Sequence, residues 1–357
     1  MTISFNAYSL PVSNDLLSST LYDIRDQAVD NLFQKTAFLD HAKRSGGIVK
    51  KNGGEIWVEP LAVTEHSNIT QLTTGFETVD LNVSDVLQPA AYQWCKFTAP
   101  IAISRDEELS NRGPLAMASI LQSRMDSVMG LLKREIESKI LSGLGADGGT
   151  SILSNLNQLY GGISGSAVNN GFIYTDTTGT GGTVGGLARS VSVGLQNQVV
   201  DDATSSSIID SLTDAYMRAQ HYALNGQIDA LFAGTSAFKK YKSELFNNER
   251  YIDVTKLDGG RMVLEWNGVP VEWSKWMSSS VQTGTSTGPS LSTLDKAIYG
   301  VNFAGIKVAI DSEADFKVLP FRDMDSQLAR TAFVHLRMQL YANHLASQFI
   351  VLDAAGV

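Results

Sequence analysis

The stretch Gly113–Gly143, GPLAMASILQSRMDSVMGLLKREIESKILSG, decides the fold. Its spacing predicts one long helix. Pro114 falls where a first-turn proline is tolerated, and Gly143 where a helix can stop. Leu121, Met125, Val128, Leu132, Ile136 and Ile140 recur in steps of three and four, which lays one apolar stripe along one face. Arg124, Lys133, Arg134, Glu137 and Lys139 fall between them. At ~1.5 Å per residue the rod is about 40 Å long. A compact enzyme rarely needs such an element; a flat, extended subunit does.

Working back from the helix, residues 53–104 are of a different material. Glu55-Ile56-Trp57-Val58-Glu59 alternates with period two, and so does Tyr92-Gln93-Trp94-Cys95-Lys96-Phe97. Between them the polar, Thr-rich stretch Glu65–Gln88 holds few large apolar residues beyond Ile69, Leu72, Phe76 and Leu81. The simplest reading is a long two-stranded excursion that leaves the body and returns. Such a hairpin is marginal alone in water, so it needs a neighbour to rest on. Before it, residues 1–20 read as an extended arm. Leu21, Ile24, Ala28 and Leu32 suggest an amphipathic helix that ends before Ser45-Gly46-Gly47. Lys43, Arg44, Lys50 and Lys51 form the densest basic patch, read as a solvated or subunit-facing segment.

Past the helix, residues 143–186 are rich in Gly, Ser and Thr, which marks a loop or insertion. Gly179-Thr180-Gly181-Gly182 has no following Lys-Ser/Thr and opens no helix, so it is not a phosphate loop. Residues 206–226 read as a second helix, with Ile208, Ile209, Leu212, Ala215, Tyr216, Ala219, Tyr222 and Ala223 on one face. Ser206 or Ser207 is its expected cap and Asn225-Gly226 its stop. Leu231–Gly234 reads as a short buried strand, and Thr235 as the cap of a third helix. The strongest local signal is Asn267-Gly268 between Arg261–Trp266 and Val269–Trp273, a two-residue hairpin turn. It pairs Trp266 with Val269, Leu264 with Val271 and Met262 with Trp273. Pro270 predicts that no further strand bonds on that side. Residues 296–310 read as strand broken at Gly300 and Gly305. Residues 331–341 alternate as a strand, with a helix reading through Val334, Met338, Tyr341 and Leu345 competing, and Gln348–Leu352 is a closing strand.

The chain has 357 residues, 43% of them apolar, and a formal net charge of −9, which argues against a broad basic face for nucleic acid. A single cysteine, Cys95, allows no intrachain disulfide. No run of about 18 apolar residues marks a membrane span, and no basic region followed by an apolar run marks a secretory signal. The 5 histidines are scattered, none in a metal spacing, and no G-x-S-x-G elbow occurs. No catalytic, cofactor-binding or metal residues are assigned, and the chain is not read as an enzyme.

The order of elements resembles the major capsid protein of tailed bacteriophages, the Hong Kong 97-like fold. Ile101-Ala102-Ile103-Ser104 leading into Glu107-Glu108-Leu109 is similar to that family's entry into its spine helix. Ile140–Gly145 is similar to the link that follows it. Tyr160-Gly161-Gly162-Ile163 and Gly185–Ser190 resemble segments of one subgroup, Asn267–Val271 the family's hairpin, and Thr331–Leu352 its closing strands. The resemblance implies an α+β fold: arm and helix over 1–52, an extended β-hairpin loop over 53–100, a peripheral domain over 101–145 and 296–341 with its spine at 114–142, and an axial domain over 146–295 and 342–357. It implies a structural protein that self-assembles into an icosahedral shell in the virion, put together in the host cytoplasm. The implied partners are copies of itself as pentamers and hexamers, a separate scaffolding protein, a portal, a decoration protein and packaged double-stranded DNA bound without sequence preference. No cofactor and no membrane are implied. Candidate contacts between copies are Trp57, Glu65, Phe76, Asp85, Trp94 and Arg105. An encapsulin-like shell around protein cargo, and an enzyme with an inserted hairpin, stand as the alternatives.

Overall fold

The computed structural model describes residues 36–64, 73, 75, 85–110, 114–142, 155–157, 171–173, 183–202, 207–223, 227–247, 254–257, 261–277, 295–324 and 327–352. The expected arm, its first helix at Leu21, and the Asn225-Gly226 stop lie outside them. The chain divides into two compact units, one made of Phe97–Glu135 and Ala314–Leu336, the other of Thr36–Lys96, Ile136–Glu313 and Arg337–Val357, apart from residues outside the description.

The long helix runs Pro114–Ser142, 29 residues. Its apolar stripe is used along its described length. Met125, Val128, Met129 and Leu132 pack in the first unit against Ile101, Ala332 and Val334. Ile136, Ile140 and Leu141 are fully buried in the second. Leu131, off the stripe, stays 54% exposed, which fixes the angular width of the buried face. The strand Cys95–Ser104 pairs with the strand Ala329–Ala342, which within the first unit also takes Lys317–Val318 and Arg322–Asp323 antiparallel. The period-two reading of 331–341 therefore wins over the helical one. Its buried residues Ala332, Val334, Leu336, Met338 and Leu340 alternate with more open neighbours over much of its length.

The second unit is built on a seven-stranded sheet in the order 254–257, 261–266, 269–273, 230–233, 298–301, 349–352, 198–201. Helices Ile208–His221 and Thr235–Asn247 contribute Leu212, Ala215, Ala219 and Tyr241 to its core, against Leu231, Val271, Ile298 and Val351. The Asn267-Gly268 turn has positive φ at both positions, 51° and 78°, and the register Leu264↔Val271, Glu265↔Pro270, Trp266↔Val269 is the one expected. Trp273 does not join Met262 in that ladder. It pairs instead with Ala233 of a parallel neighbour, whose register is Leu231↔Val271, Phe232↔Glu272, Ala233↔Trp273. The expectation that Pro270 closes this side is thus corrected: a further strand does bond there, starting one residue past the proline, where N–H groups resume.

Two helix starts also differ from the expected ones. Ser207 stands at the N-cap position but its side chain does not cap. The Glu244 carboxylate, from the next helix, accepts the Ile208 N–H at 3.0 Å and the Ser207 hydroxyl at 3.2 Å. Thr235 is likewise no cap; Asp295 accepts its N–H at 3.2 Å, and its hydroxyl takes the Trp273 indole N–H at 2.8 Å. Tyr222 falls beyond the helix end and is exposed. Gly300 does not break its strand. It lies inside Ile298–Val301, opposite Phe349, and the break falls at the turn after Asn302, where Gly305 donates back to the Asn302 carbonyl at 3.1 Å. A Cβ on Gly300 would sit 2.1 Å from the Phe349 ring. Gly300→Ala is expected to cost about 1–3 kcal/mol by overpacking, read as a lowered denaturant midpoint, and Phe349→Leu in the same chain should recover part of the loss.

Candidate assembly surface

The expected excursion opens as a regular ribbon. Ile56–Ala62 pairs antiparallel with Leu87–Gln93 through seven partners, from Ile56↔Gln93 to Ala62↔Leu87. The returning strand ends at Gln93, so the alternation Tyr92–Phe97 read as one strand is two, parted at Trp94. On the ribbon's inner face Leu61, Ala90 and Tyr92 are buried. On its outer face Ile56, Val58, Pro60 and Ala62 stand beside Leu87, Pro89 and Ala91, all exposed. Ile56 is 47%, Val58 55% and Leu87 65% open. An antiparallel sheet facing water on one side normally carries polar residues there; this one carries a contiguous apolar strip, the mark of a face that something covers.

The ribbon's edges are closed to further pairing by chemistry. The Ala91 N–H points outward and donates to the Gly185 carbonyl at 2.9 Å. Pro89, two residues away, therefore faces the same edge with no N–H to offer. Its partner across the ladder is Pro60, which removes a donor from the opposite edge. Prolines on edges block edge-to-edge association, so an approaching chain is directed to the face.

At the ribbon's root two of the expected contact residues meet each other. The Trp57 and Trp94 rings lie 4.5 Å apart, and Trp57 also contacts Tyr92 at 5.7 Å and Tyr341 at 5.8 Å. Lys51 Nζ stands 4.6 Å over the Tyr341 ring and pairs with Glu59 at 2.6 Å. Burial pushes the Tyr341 hydroxyl up to about 12, with Glu59 adding to the shift. The basic patch is thus partly folded inward: Lys51 belongs to this cluster, while Lys43 and Lys50 are exposed. The described part of the ribbon does not wait for a neighbour to become ordered, because its inner face rests on its own unit.

The other candidates are separate. Asp85 is exposed at the ribbon's far end. Glu65 and Phe76 lie outside the described residues. Arg105 is exposed in the first unit, where it lines a shallow hollow with Asp323, Met324, Leu328 and Arg330 and its N–H donates to the Leu328 carbonyl at 2.8 Å. Sequence reasoning missed what sits beside it. Ser104 and Glu107 form a reciprocal capping box: each side chain takes the other's backbone N–H at 3.2 Å. Glu107 then grips Arg124 of the long helix in a two-pronged pair at 3.0 and 3.1 Å, and Arg124 donates to the Ala102 carbonyl. The Ser-x-x-Glu spacing at Ser104 was the available signal.

A buried polar constellation in the second unit was also missed. Glu137, fully buried, accepts the N–H groups of Phe38 and Leu39 at 2.8 and 3.3 Å, at the start of helix Ala37–Arg44. From the same helix His41 shares a 3.0 Å hydrogen bond with buried Glu272, and Phe38 packs on Phe232 and Phe303 at 5.7 and 5.2 Å. Burial drives the Glu137 carboxyl up to about 8, with the nearby Asp40 and Glu272 charges pushing the same way against the two N–H bonds. No local spacing announces a contact between residues 98 and 99 positions apart.

No family model matches the chain, and no curated protein sequence matches it. Solved structures do. The capsid asymmetric unit of cyanophage A-1(L) superposes with a TM-score of 0.60 at 13% identity, over 94% of this chain and 97% of that one. The capsid of an empty GTA particle gives 0.55 at 14% identity, over 93% and 95%. The SrpI encapsulin of Synechococcus elongatus PCC 7942 gives 0.54 at 11% identity, over 96% of both. The chain has the fold of Hong Kong 97-like shell subunits, along nearly its whole length.

Glu137 supplies a test of its own geometry. Because its folded pKa lies above the ordinary carboxylate value, the native state holds the proton more tightly than the unfolded chain. Its stabilising contribution is therefore present at pH 4 to 5 and is lost as pH rises through about 8. Chemical denaturation of the wild type at pH 5 and pH 9 should show that fall, and Glu137→Gln should flatten it.

Proposed function

We propose that the chain is a major capsid protein, a structural subunit that self-assembles into the icosahedral head shell enclosing a phage genome. The observation that carries the reading is the apolar outer face of the ribbon, Ile56, Val58, Pro60 and Ala62 beside Leu87, Pro89 and Ala91, exposed on an element whose edges are blocked by prolines. Covering such a face is favourable because it removes apolar surface from water, and a second copy of the same chain is the occupant that a shell fold supplies. Contacts repeated around closed symmetry turn modest interfaces into a stable particle. In this reading a peripheral domain carries the long helix, and an axial domain gathers five or six copies; the seven-stranded sheet places Ile298–Val301 with the axial strands rather than with the 296–341 segment expected to be peripheral. Trp57 and Trp94 hold the ribbon's root, while Glu65, Phe76, Asp85 and Arg105 are the residues assigned to contacts with adjoining copies. A separate scaffolding protein, a portal and a decoration protein are the further partners, and the net charge of −9 suits a wall that holds DNA without gripping it. The chain does no chemistry; its work is assembly in the host cytoplasm and containment in the virion.

The likeness to an encapsulin over 96% of the chain favours one second reading, a shell of the same build around protein cargo. Particles purified from a producing cell separate the two by content: nuclease-protected double-stranded DNA supports the head shell, and a single co-purifying protein supports the cargo shell.

Val58→Lys with Leu87→Lys tests the carrying observation. Both positions are open to solvent, so the subunit's own stability should move by no more than ~0.5 kcal/mol. Negative-stain microscopy should show closed particles for the wild type and dispersed subunits for the variant. Variant particles at the wild-type yield would overturn the role of this face.

A further inference from the structure

Between the strand Ile48–Lys51 and the ribbon strand Ile56–Ala62 lie two glycines, Gly53 and Gly54, with φ of 64° and 77°. A Cβ on Gly53 would meet nothing within 4 Å. Conformation, not crowding, calls for glycine there. Two such residues in series form a soft joint, and a ribbon leaving it would swing.

The joint is nevertheless held, and from both glycine carbonyls. The Trp94 indole N–H donates to the Gly53 carbonyl at 3.3 Å. The Arg337 guanidinium donates to the Gly54 carbonyl. The other prong of Arg337 donates to Asp311 Oδ2 at 3.0 Å, and its Cζ stands 4.9 Å from the centre of the Trp94 ring. Asp311 is buried at the end of Ile306–Asp311, where it pairs in register with Lys51, the last residue of the strand before the joint. Arg337 therefore ties the moving side of the joint to the fixed side. On the returning strand Gln339 donates to the Gln93 carbonyl at 2.8 Å and the Tyr92 hydroxyl to the Ala342 carbonyl at 2.8 Å. These bonds hold the ribbon's second leg but span no glycine; the Lys51–Glu59 pair at 2.6 Å does cross the joint, between side chains a quarter open to water, and grips no glycine carbonyl.

We propose that Arg337 is the pin that sets the ribbon's direction, with Gly53-Gly54 as the joint that turns when the pin is withdrawn. The inference rests on the shell reading for its purpose, since direction matters only if the ribbon must land on an adjoining copy. Lysine does not replace the pin. A flat fork that bonds a carbonyl and a carboxylate while stacking on an indole is arginine chemistry.

The test is hydrogen exchange on dispersed full-length subunits, followed by assembly. Arg337→Met keeps the stem and removes the fork, and Arg337→Met with Asp311→Asn removes the unpaired buried carboxylate that the single change leaves behind. Both variants should keep wild-type protection across the seven-stranded sheet. Ribbon amides over 55–62 and 87–93 should exchange about tenfold faster, a change worth roughly 1.4 kcal/mol. Particles should then form at lower yield and with a spread of diameters. Unchanged ribbon exchange in the double variant overturns the pin. So does an equal rise throughout the unit, which would make Arg337 a general stabiliser. If wild-type subunits form no particles, the shell reading fails while the exchange comparison still decides the pin.

Discussion

A two-stranded ribbon has two faces, and this chain covers one of them itself. The inner face, with Tyr92, is committed to Tyr341 and the Gly185 turn, while the outer strip of Ile, Val, Leu, Pro and Ala stays exposed among the described residues. The opposed prolines Pro60 and Pro89 close the alternative of growth by strand addition. What is left is face-on burial by another surface. The geometry of that burial is set at the root, where aromatic rings, Lys51 and Arg337 fix the ribbon in place. Pattern, edge chemistry and root packing therefore all favour the proposed docking, in which an adjoining copy meets a strip presented face-on.

The same unit fastens its helices in an unusual way. Three of them begin on carboxylates supplied from elsewhere in the chain: Glu137 for Ala37–Arg44, Glu244 for Ile208–His221 and Asp295 for Thr235–Asn247. Each does what a local Ser, Thr or Asp does at an N-cap: it accepts orphan N–H groups where the helix dipole favours an acceptor. A remote cap does one thing more, since it couples the start of a helix to the position of another element. Where the acceptor is itself buried, as Glu137 is, the coupling also becomes sensitive to proton concentration.

This explains which parts of the fold could be read beforehand. The Pro114–Ser142 helix, the Asn267-Gly268 hairpin and the long strand through Val334, Leu336, Met338 and Leu340 are written in period and turn chemistry, both short-range. They are found where expected. The expected caps at Ser207 and Thr235 were wrong because a hydroxyl in the right place does not exclude a stronger acceptor arriving from 37 or 60 residues away. Gly300 reads as a break in sequence because sequence shows the missing side chain but not the Phe349 ring that fills its space. Pro270 suggests a closed edge in sequence because the parallel ladder that starts at Val271 depends on a strand 40 residues earlier. For the candidate surface, alternation located the ribbon and both its tryptophans. That Trp57 and Trp94 meet each other, and that the open face is the apolar one, depends on what packs beneath.

The size of the open strip also bears on how such a subunit must work. Ile56, Val58 and Leu87 are each roughly half exposed already. Full burial of such a side chain is worth about 1.5–3 kcal/mol, so covering what is left of the three contributes roughly 2–5 kcal/mol, before the cost of ordering. Taken alone, that corresponds to a dissociation constant around millimolar or weaker. A pair of copies joined only by this strip falls apart readily, which keeps subunits apart at low concentration and lets a misplaced one leave. Closure changes the arithmetic, because a copy held by several neighbours must release them all at once. A rigid root strengthens that effect, since a ribbon already aimed loses little freedom on landing. Under the proposed shell reading, weak strips and stiff joints belong to the same design: reversibility while the shell grows, and permanence once it closes.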